Sequence, residues 1–161
     1  MKKLFKNAAL LTLCAVTFVG CASKVDYTTF KTKAQEALKN TPDYTKANVK
    51  GDVTMGSSTT NVNFDATVSG RVISYSKVTD ITAQLVVTTL NAMTISTFIL
   101  TDEGNSNYTY YAGSSFKVEG TETEDNETAN VSYEWEGNGL LTSVNAKADS
   151  VTFKLTVSYS K

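Results

Sequence analysis

The chain has 161 residues, with 15 basic and 16 acidic side chains, a formal net charge of −1, two cysteines, one proline and no histidine. Without histidine there is no imidazole to serve as a general base, a Ser-His-Asp triad member or a metal ligand, and a near-neutral chain lacks the field that draws nucleic acid. A composition of 41% hydrophobic and 19% charged residues fits one folded domain rather than a disordered chain.

Lys2, Lys3 and Lys6 precede an apolar run from Ala8 to Val19, and Gly20-Cys21 follows. The run is shorter than the ~20 residues a membrane span needs. A basic start, a short apolar centre and a small residue at the cut predict a signal peptide over residues 1–20. Phe18-Val19-Gly20-Cys21 resembles the lipobox of bacterial lipoproteins. Val19 and Gly20 match that pattern, and Phe18 stands where leucine is usual. The resemblance implies a diacylglycerol on the Cys21 thiol and cleavage before it. The other reading is an ordinary cleaved signal, with Cys21 a chance thiol. Cys14 leaves with the signal, so the mature chain has no disulfide. Residues 1–20 hold three basic groups and no acidic ones, so the chain from Cys21 carries 12 basic against 16 acidic side chains, a net −4. An anionic membrane repels such a domain weakly, and acyl chains must hold it there. The expected location is the outer leaflet of the plasma membrane in a single-membrane host. In a double-membrane host it is the outer membrane, since Ala22 follows the cysteine in place of the aspartate that retains lipoproteins at the inner membrane.

Residues 21–25 read as the lipidated cysteine and a short tether, and 26–161 as one domain. Asp26 is a helix N-cap, and Tyr27, Phe30, Ala34, Ala37 and Leu38 share one face, which predicts a helix over 26–40 stopped by Asn40-Thr41-Pro42-Asp43. From Ala47 the period becomes two: 47–55 and 61–68 read as an antiparallel pair turning at Gly56-Ser57-Ser58. Gly70 marks a bend before a third strand, Val72 to Tyr75. Over 80–93, Ile81, Leu85, Val86, Leu90 and Met93 suit a helix capped at Thr79 or Asp80, while Val86-Val87-Thr88-Thr89 suits a pair of strands; length and the absence of a turn signal favour the helix. After Met93 the chain reads as strands: Thr94 to Leu100, Tyr108 to Ala112, Phe116 to Glu119, Val131 to Trp135, Leu140 to Ala146 and Val151 to Tyr159. Gly120 to Thr128 reads as a mobile acidic loop, and Asn138-Gly139 as a type I′ hairpin turn. The fold class is α+β: a curved antiparallel sheet with an N-terminal helix and a second helix packed on it. Some eight strands should curl, with the helices covering the concave face.

No constellation predicts catalysis. There is no phosphate loop or dinucleotide fingerprint. Glu134 and Glu136 lie two apart on the presumed solvent face of a strand, and no convergent partner accompanies them. Glu119, Glu122, Glu124, Asp125 and Glu127 lack the spacing of a calcium loop and read as a solvated loop. No cofactor or metal site is expected. Arg71, the only arginine, either grips an acidic headgroup or lies on the surface. Aromatic residues concentrate in the C-terminal strands, and two readings stay open for them. Either they fill a core, or Leu85, Leu90, Tyr108, Tyr110, Phe116, Trp135 and Phe153 line an apolar pocket between the sheet and the 80–93 helix.

The order of lipobox, amphipathic helix, strand pair, apolar helix and long meander is similar to the lipoprotein-carrier and lipid-binding lipoprotein superfamily. Residues 110–118 (YYAGSSFKV) and 133–142 (YEWEGNGLLT) also look like elements of small lipoproteins of low-GC bacteria. The superfamily resemblance implies a half-open barrel with a helical lid. The expected function is an anchored envelope lipoprotein that binds a lipid or other amphiphile without transforming it. The alternative is an envelope module with a filled core that contacts a protein or glycan. The expected partners are the bilayer, through acylated Cys21, and an amphiphile; no nucleic acid is expected, and no protein partner is legible.

Overall fold

The computed structural model describes residues 22–77, 79–124 and 127–161. The signal segment 1–20, with Phe18, Val19 and Gly20 of the lipobox, and Cys21 lie outside the described residues. The elements run β1 (Ser23–Val25), α1 (Tyr27–Ala37), β2 (Lys46–Met55), β3 (Ser58–Ser69), β4 (Val72–Ser74), α2 (Ile81–Ala92), α3 (Ile95–Thr101), β5 (Tyr108–Ala112), β6 (Ser115–Glu124), β7 (Glu127–Glu136), β8 (Leu141–Lys147) and β9 (Val151–Ser160). All nine strands join one antiparallel sheet in the order β1-β5-β6-β7-β8-β9-β2-β3-β4. The sheet is not closed, and its two edges are the three-residue strands β1 and β4.

Side chains alternate between two unlike faces, as a pleated sheet requires. One cross-strand row holds Tyr110, Val118, Tyr133, Val144, Leu155, Gly51 and Val62, and every member but Gly51 is buried. The adjacent row on the other face holds Tyr111, Lys117, Glu134, Ser143, Thr156, Lys50 and Asn63, none of them buried. Gly51, in β2 opposite Leu155 of β9, leaves no room for a side chain: its φ is +148°, and a Cβ there would lie 1.9 Å from the Lys154 carbonyl oxygen.

Each helix starts at a side-chain cap, which satisfies backbone N–H groups that have no partner inside the helix. Asp26 accepts from Thr29 N at 2.8 Å and Asp80 from Ala83 N at 3.0 Å. In α1, Phe30 and Ala34 are buried. Phe30 is fully enclosed, and its ring meets Tyr110 at 5.4 Å, Phe116 at 5.7 Å, Phe98 at 6.0 Å and Trp135 at 6.4 Å. One side chain thus joins α1, α3, β5, β6 and β7. In α2, Ala83, Val86, Val87 and Leu90 are buried, and Trp135 Nε1 donates to the Met93 carbonyl at 2.9 Å. Asn91 accepts from Ile73 N at 2.9 Å and donates to Ile73 O at 2.8 Å. Its amide therefore occupies backbone groups of edge strand β4 that would otherwise invite another chain.

Four expectations are corrected, the first being the 21–25 tether, since Ser23–Val25 is strand β1 paired with β5. Thr94 to Leu100 is a helix, not a strand: Thr94 caps it by accepting from Thr97 N at 3.3 Å, and Ile95, Phe98 and Ile99 fall on one buried helical face. That 3.6-residue spacing overrides the strand preference of the β-branched residues among them. Gly120 to Thr128 is not a loop through most of its length, since β6 runs to Glu124 and β7 begins at Glu127, paired Glu124↔Glu127 through Ser115↔Glu136. Cross-strand pairing there outweighs the polar composition. The β7–β8 turn also differs from a two-residue I′ turn. Glu136 N donates to Leu140 O at 2.8 Å and Gly139 N to Glu136 O at 2.8 Å, enclosing three residues with Gly139 at φ +81°.

Arg71 is a staple. Its guanidinium donates to Ala37 O at 3.1 Å and Asn40 O at 2.6 Å past the end of α1, and to Asn138 O in the β7–β8 turn at 2.8 and 3.0 Å. Three carbonyls from two separate segments meet one planar donor set, and an ammonium does not reproduce that geometry.

Two outcomes follow for stability. Phe30→Ala should lower the urea-unfolding free energy by about 3–5 kcal/mol with an unchanged m-value. Arg71→Lys should cost about 1.5–3 kcal/mol in the same measurement despite keeping the charge, because the fork to Ala37, Asn40 and Asn138 is lost.

Candidate functional site

The residues expected to line an apolar pocket separate into three groups. Leu90, Tyr110, Phe116 and Trp135 are each no more than 5% exposed and belong to the packed core. Phe153 packs against that core partly buried, while Leu85 lies on the outer side of α2 and is exposed. Tyr108 alone among the seven lines a cavity described here, of about 240 Å³, whose other walls are Ala92, Met93, Phe98, Thr101, Asp102, Asn105 and Glu122.

Local sequence explains how this cavity forms. Met93 and Phe98 stand on either side of the α2–α3 bend, where two caps succeed each other within a few residues. Asp102 ends α3, and its Oδ1 accepts from Gly104 N at 3.1 Å and Asn105 N at 3.0 Å, which folds the following turn back toward β5. Its Oδ2 accepts from the Tyr110 hydroxyl at 2.7 Å, and its backbone carbonyl accepts from the Tyr27 hydroxyl. Glu122 shares the parity of Phe116 and Val118 on β6, so it projects to the face that is apolar elsewhere. It accepts from the Tyr108 hydroxyl and, at 3.0 Å, from the Tyr133 hydroxyl. The Phe98 and Tyr108 rings lie 5.9 Å apart beside these carboxylates.

Two carboxylates therefore border one small aromatic cavity, and their described hydrogen-bond partners are tyrosine hydroxyls and backbone N–H groups. Neither forms an ion pair among the described residues, whereas Glu36, Asp43, Glu119 and Glu134 each have a lysine within 4.0 Å. Burial raises the Tyr108, Tyr110 and Tyr133 hydroxyls well above the usual tyrosine range, and the neighbouring Glu122 and Asp102 raise them further. The tyrosines stay neutral donors, so no described partner of either carboxylate carries a positive charge. Such a site, with aromatic faces beside it, suits an ammonium or quaternary ammonium group.

The sequence reading leaves Asp102 between two strands and puts Glu122 in a mobile loop, and so brings neither to a site. The alternation 116-118-120-122 was the signal for Glu122. Among the other acidic residues considered for calcium, Glu119 accepts from Tyr111 at 2.8 Å and pairs with Lys117 at 2.7 Å. Asp125 lies outside the described residues. No cluster of three or more metal-ligating side chains occurs among the described residues.

A second concavity, of about 540 Å³, lies over β9, β2, β3 and β4 and carries Lys46, Asn48, Asp65, Thr67, Ser74, Ser158 and Ser160 on the polar face. Asn48 Nδ2 donates to Asp65 Oδ1 at 2.8 Å within it. Beside these hydroxyl and amide groups, one cation and one carboxylate, Ala47, Ala66 and Tyr159 also line it.

Comparison of the chain with protein-family models, curated proteins and solved structures finds no match.

The raised tyrosines make a pH prediction. Their folded-state values exceed the unfolded value near 10, so their contribution to stability is present below pH 10 and is lost as pH rises above it. Absorbance at 295 nm should show Tyr108, Tyr110 and Tyr133 ionising only with an alkaline unfolding step that circular dichroism detects at the same pH. Ionisation of all tyrosines near pH 10 in a folded chain would contradict this.

Proposed function

We propose that the chain is a lipid-anchored cell-envelope protein that binds an amphiphile through a cationic head group and does not transform it. The observation that carries this reading is two carboxylates, Asp102 and Glu122, with no ion-pair partner among the described residues, beside Phe98 and Tyr108 in one cavity. Size limits the ligand: about 240 Å³ falls below the usual 300–1,000 Å³ of a drug-sized pocket. The cavity takes a head group and the first methylenes, and the remaining chain stays outside the packed core around Phe30. In this reading the sheet is a half-open barrel whose mouth is covered by the three helices. The anchor is the acyl group on Cys21, which places the domain at the outer leaflet of the plasma membrane or on the outer membrane, according to the host.

The test is calorimetric titration of the purified chain with decyltrimethylammonium below its micellar concentration, against decyl sulfate as the anionic control. The expected result is one site for the cation, weakened at least tenfold by Glu122→Gln and further by adding Asp102→Asn, and none for the anion. Equal binding of both amphiphiles, or cation binding that Glu122→Gln leaves unchanged, would refute it.

The polar groove supports a second reading, an envelope module that contacts a glycan. Its row of Thr67, Ser74, Ser158 and Ser160 offers hydroxyl donors and acceptors without a single dominant charge. Titration with peptidoglycan fragments followed by backbone amide shifts in β2, β3 and β9 separates the two readings.

A further inference from the structure

We propose that the outer side of α2 and α3 lies on the bilayer surface, so that the anchored domain rests on the membrane by its helices and turns the polar face of its sheet outward. This deepens the lipid-anchor reading and rests on it.

The first support is chemical. Residues 81–101 contain no Asp, Glu, Lys or Arg. A helix that faces water normally carries charge on its outer side. Here Ile81 is 81% exposed and Leu100 is 82% exposed, with Leu85 at 39%. Ile81 and Leu85 are four apart and so share a helical face with Thr88 and Ala92, which are also exposed. The inner sides are already used: Ala83, Val86, Val87, Leu90, Ile95, Phe98 and Ile99 are in the core. The outer side is therefore an apolar, charge-free surface without a partner in the domain.

The second support is geometric. The two helices have 12 and 7 residues and meet at a 60° bend, so neither crosses a bilayer while its inner side stays in the core. The arrangement that remains is an interfacial one. The occupant follows from where the anchor attaches. Ser23–Val25 is paired with Ala112–Tyr110, so the chain is bound to the sheet two residues after Cys21. It continues to Tyr27, whose hydroxyl donates to the carbonyl of Asp102 at the end of α3. Five residues separate Cys21 from Tyr27, at most about 20 Å of chain from one Cα to the other. An acyl group on so short a strap holds α3 close to the lipid.

The test uses the full chain, produced and processed in a bacterial host and reconstituted into phosphatidylethanolamine–phosphatidylglycerol vesicles. Acylation leaves no free thiol at Cys21, so Leu85→Cys, Leu100→Cys and, on the polar face, Asn63→Cys each offer one site for an environment-sensitive fluorophore. Nitroxide-bearing lipids should quench labels at positions 85 and 100 at least threefold more than the label at 63. Intact mass and vesicle flotation report the anchor separately. A floating, acylated protein whose three labels are quenched alike would overturn the docking and leave the anchor standing. A chain without the acyl mass that does not float would overturn both.

Discussion

A sheet that is apolar on one face must be covered, and in this molecule Phe30 is where the cover is fastened. The rows through Tyr110, Val118, Tyr133, Val144 and Leu155 leave one face of nine strands dry. Nothing in the strands themselves hides it. The cover comes from three short helices that would be marginal alone, since their stability in water depends on packing an apolar face. Phe30 lies under α1 and contacts one ring from α3 and three from β5, β6 and β7. Trp135 joins the bend between α2 and α3 to β7, Asn91 joins α2 to the edge strand β4, and Arg71 closes the end of α1 against the β7–β8 turn. Without that contact α1 loses its main hold on the sheet, while α3 still meets β5 and β7 through Phe98 on Tyr108, Tyr133 and Trp135.

The cavity is a consequence of the same packing. Where α3 ends and β5 has not begun, the cover is incomplete, and the gap is lined by what the neighbouring elements place there. Asp102 is present because the turn after α3 carries backbone N–H donors, at Gly104 and Asn105, that need an acceptor. Glu122 is present because a long strand carried past the apolar core keeps its alternation. Each carboxylate has a structural explanation taken singly. Together, beside Phe98 and Tyr108 and without a basic partner among the described residues, they make up the site proposed for a cationic head group. The distant groove over β2, β3 and β9 has no comparable imbalance, since Lys46 and Asp65 both line it.

Much of this was legible in the sequence where a single periodicity ran long enough. Asp26 and the Phe30–Ala34 spacing announced α1, the alternation from Ala47 announced β2 and β3, and Asp80 announced α2. The strand assignment for Thr94 to Leu100 failed because seven residues are too few for period to overcome β-branching by inspection, and the deciding contact, Phe98 on Phe30, is 68 positions away in sequence. The extension of β6 and β7 was hidden by acidic composition, although parity marked Glu122 as inward. Which aromatics fill a core and which border a cavity was not legible at all. Tyr110 and Tyr108 are two apart and share a face, yet one is buried in the core and the other lines the gap beyond α3. That depends on a tertiary boundary which no local pattern encodes.

The central claim is that a cationic head group enters the gap beside Asp102 and Glu122 while its hydrocarbon chain stays outside the aromatic core. Nuclear Overhauser contacts in a complex with decyltrimethylammonium test it most directly. The account predicts contacts from the ligand N-methyl protons to Phe98, Tyr108 and Met93, and none from its terminal methyl group to Phe30, Phe116 or Trp135. Contacts between the terminal methyl and Phe30 or Trp135 would contradict it, because they would mean that the core opens to enclose the chain.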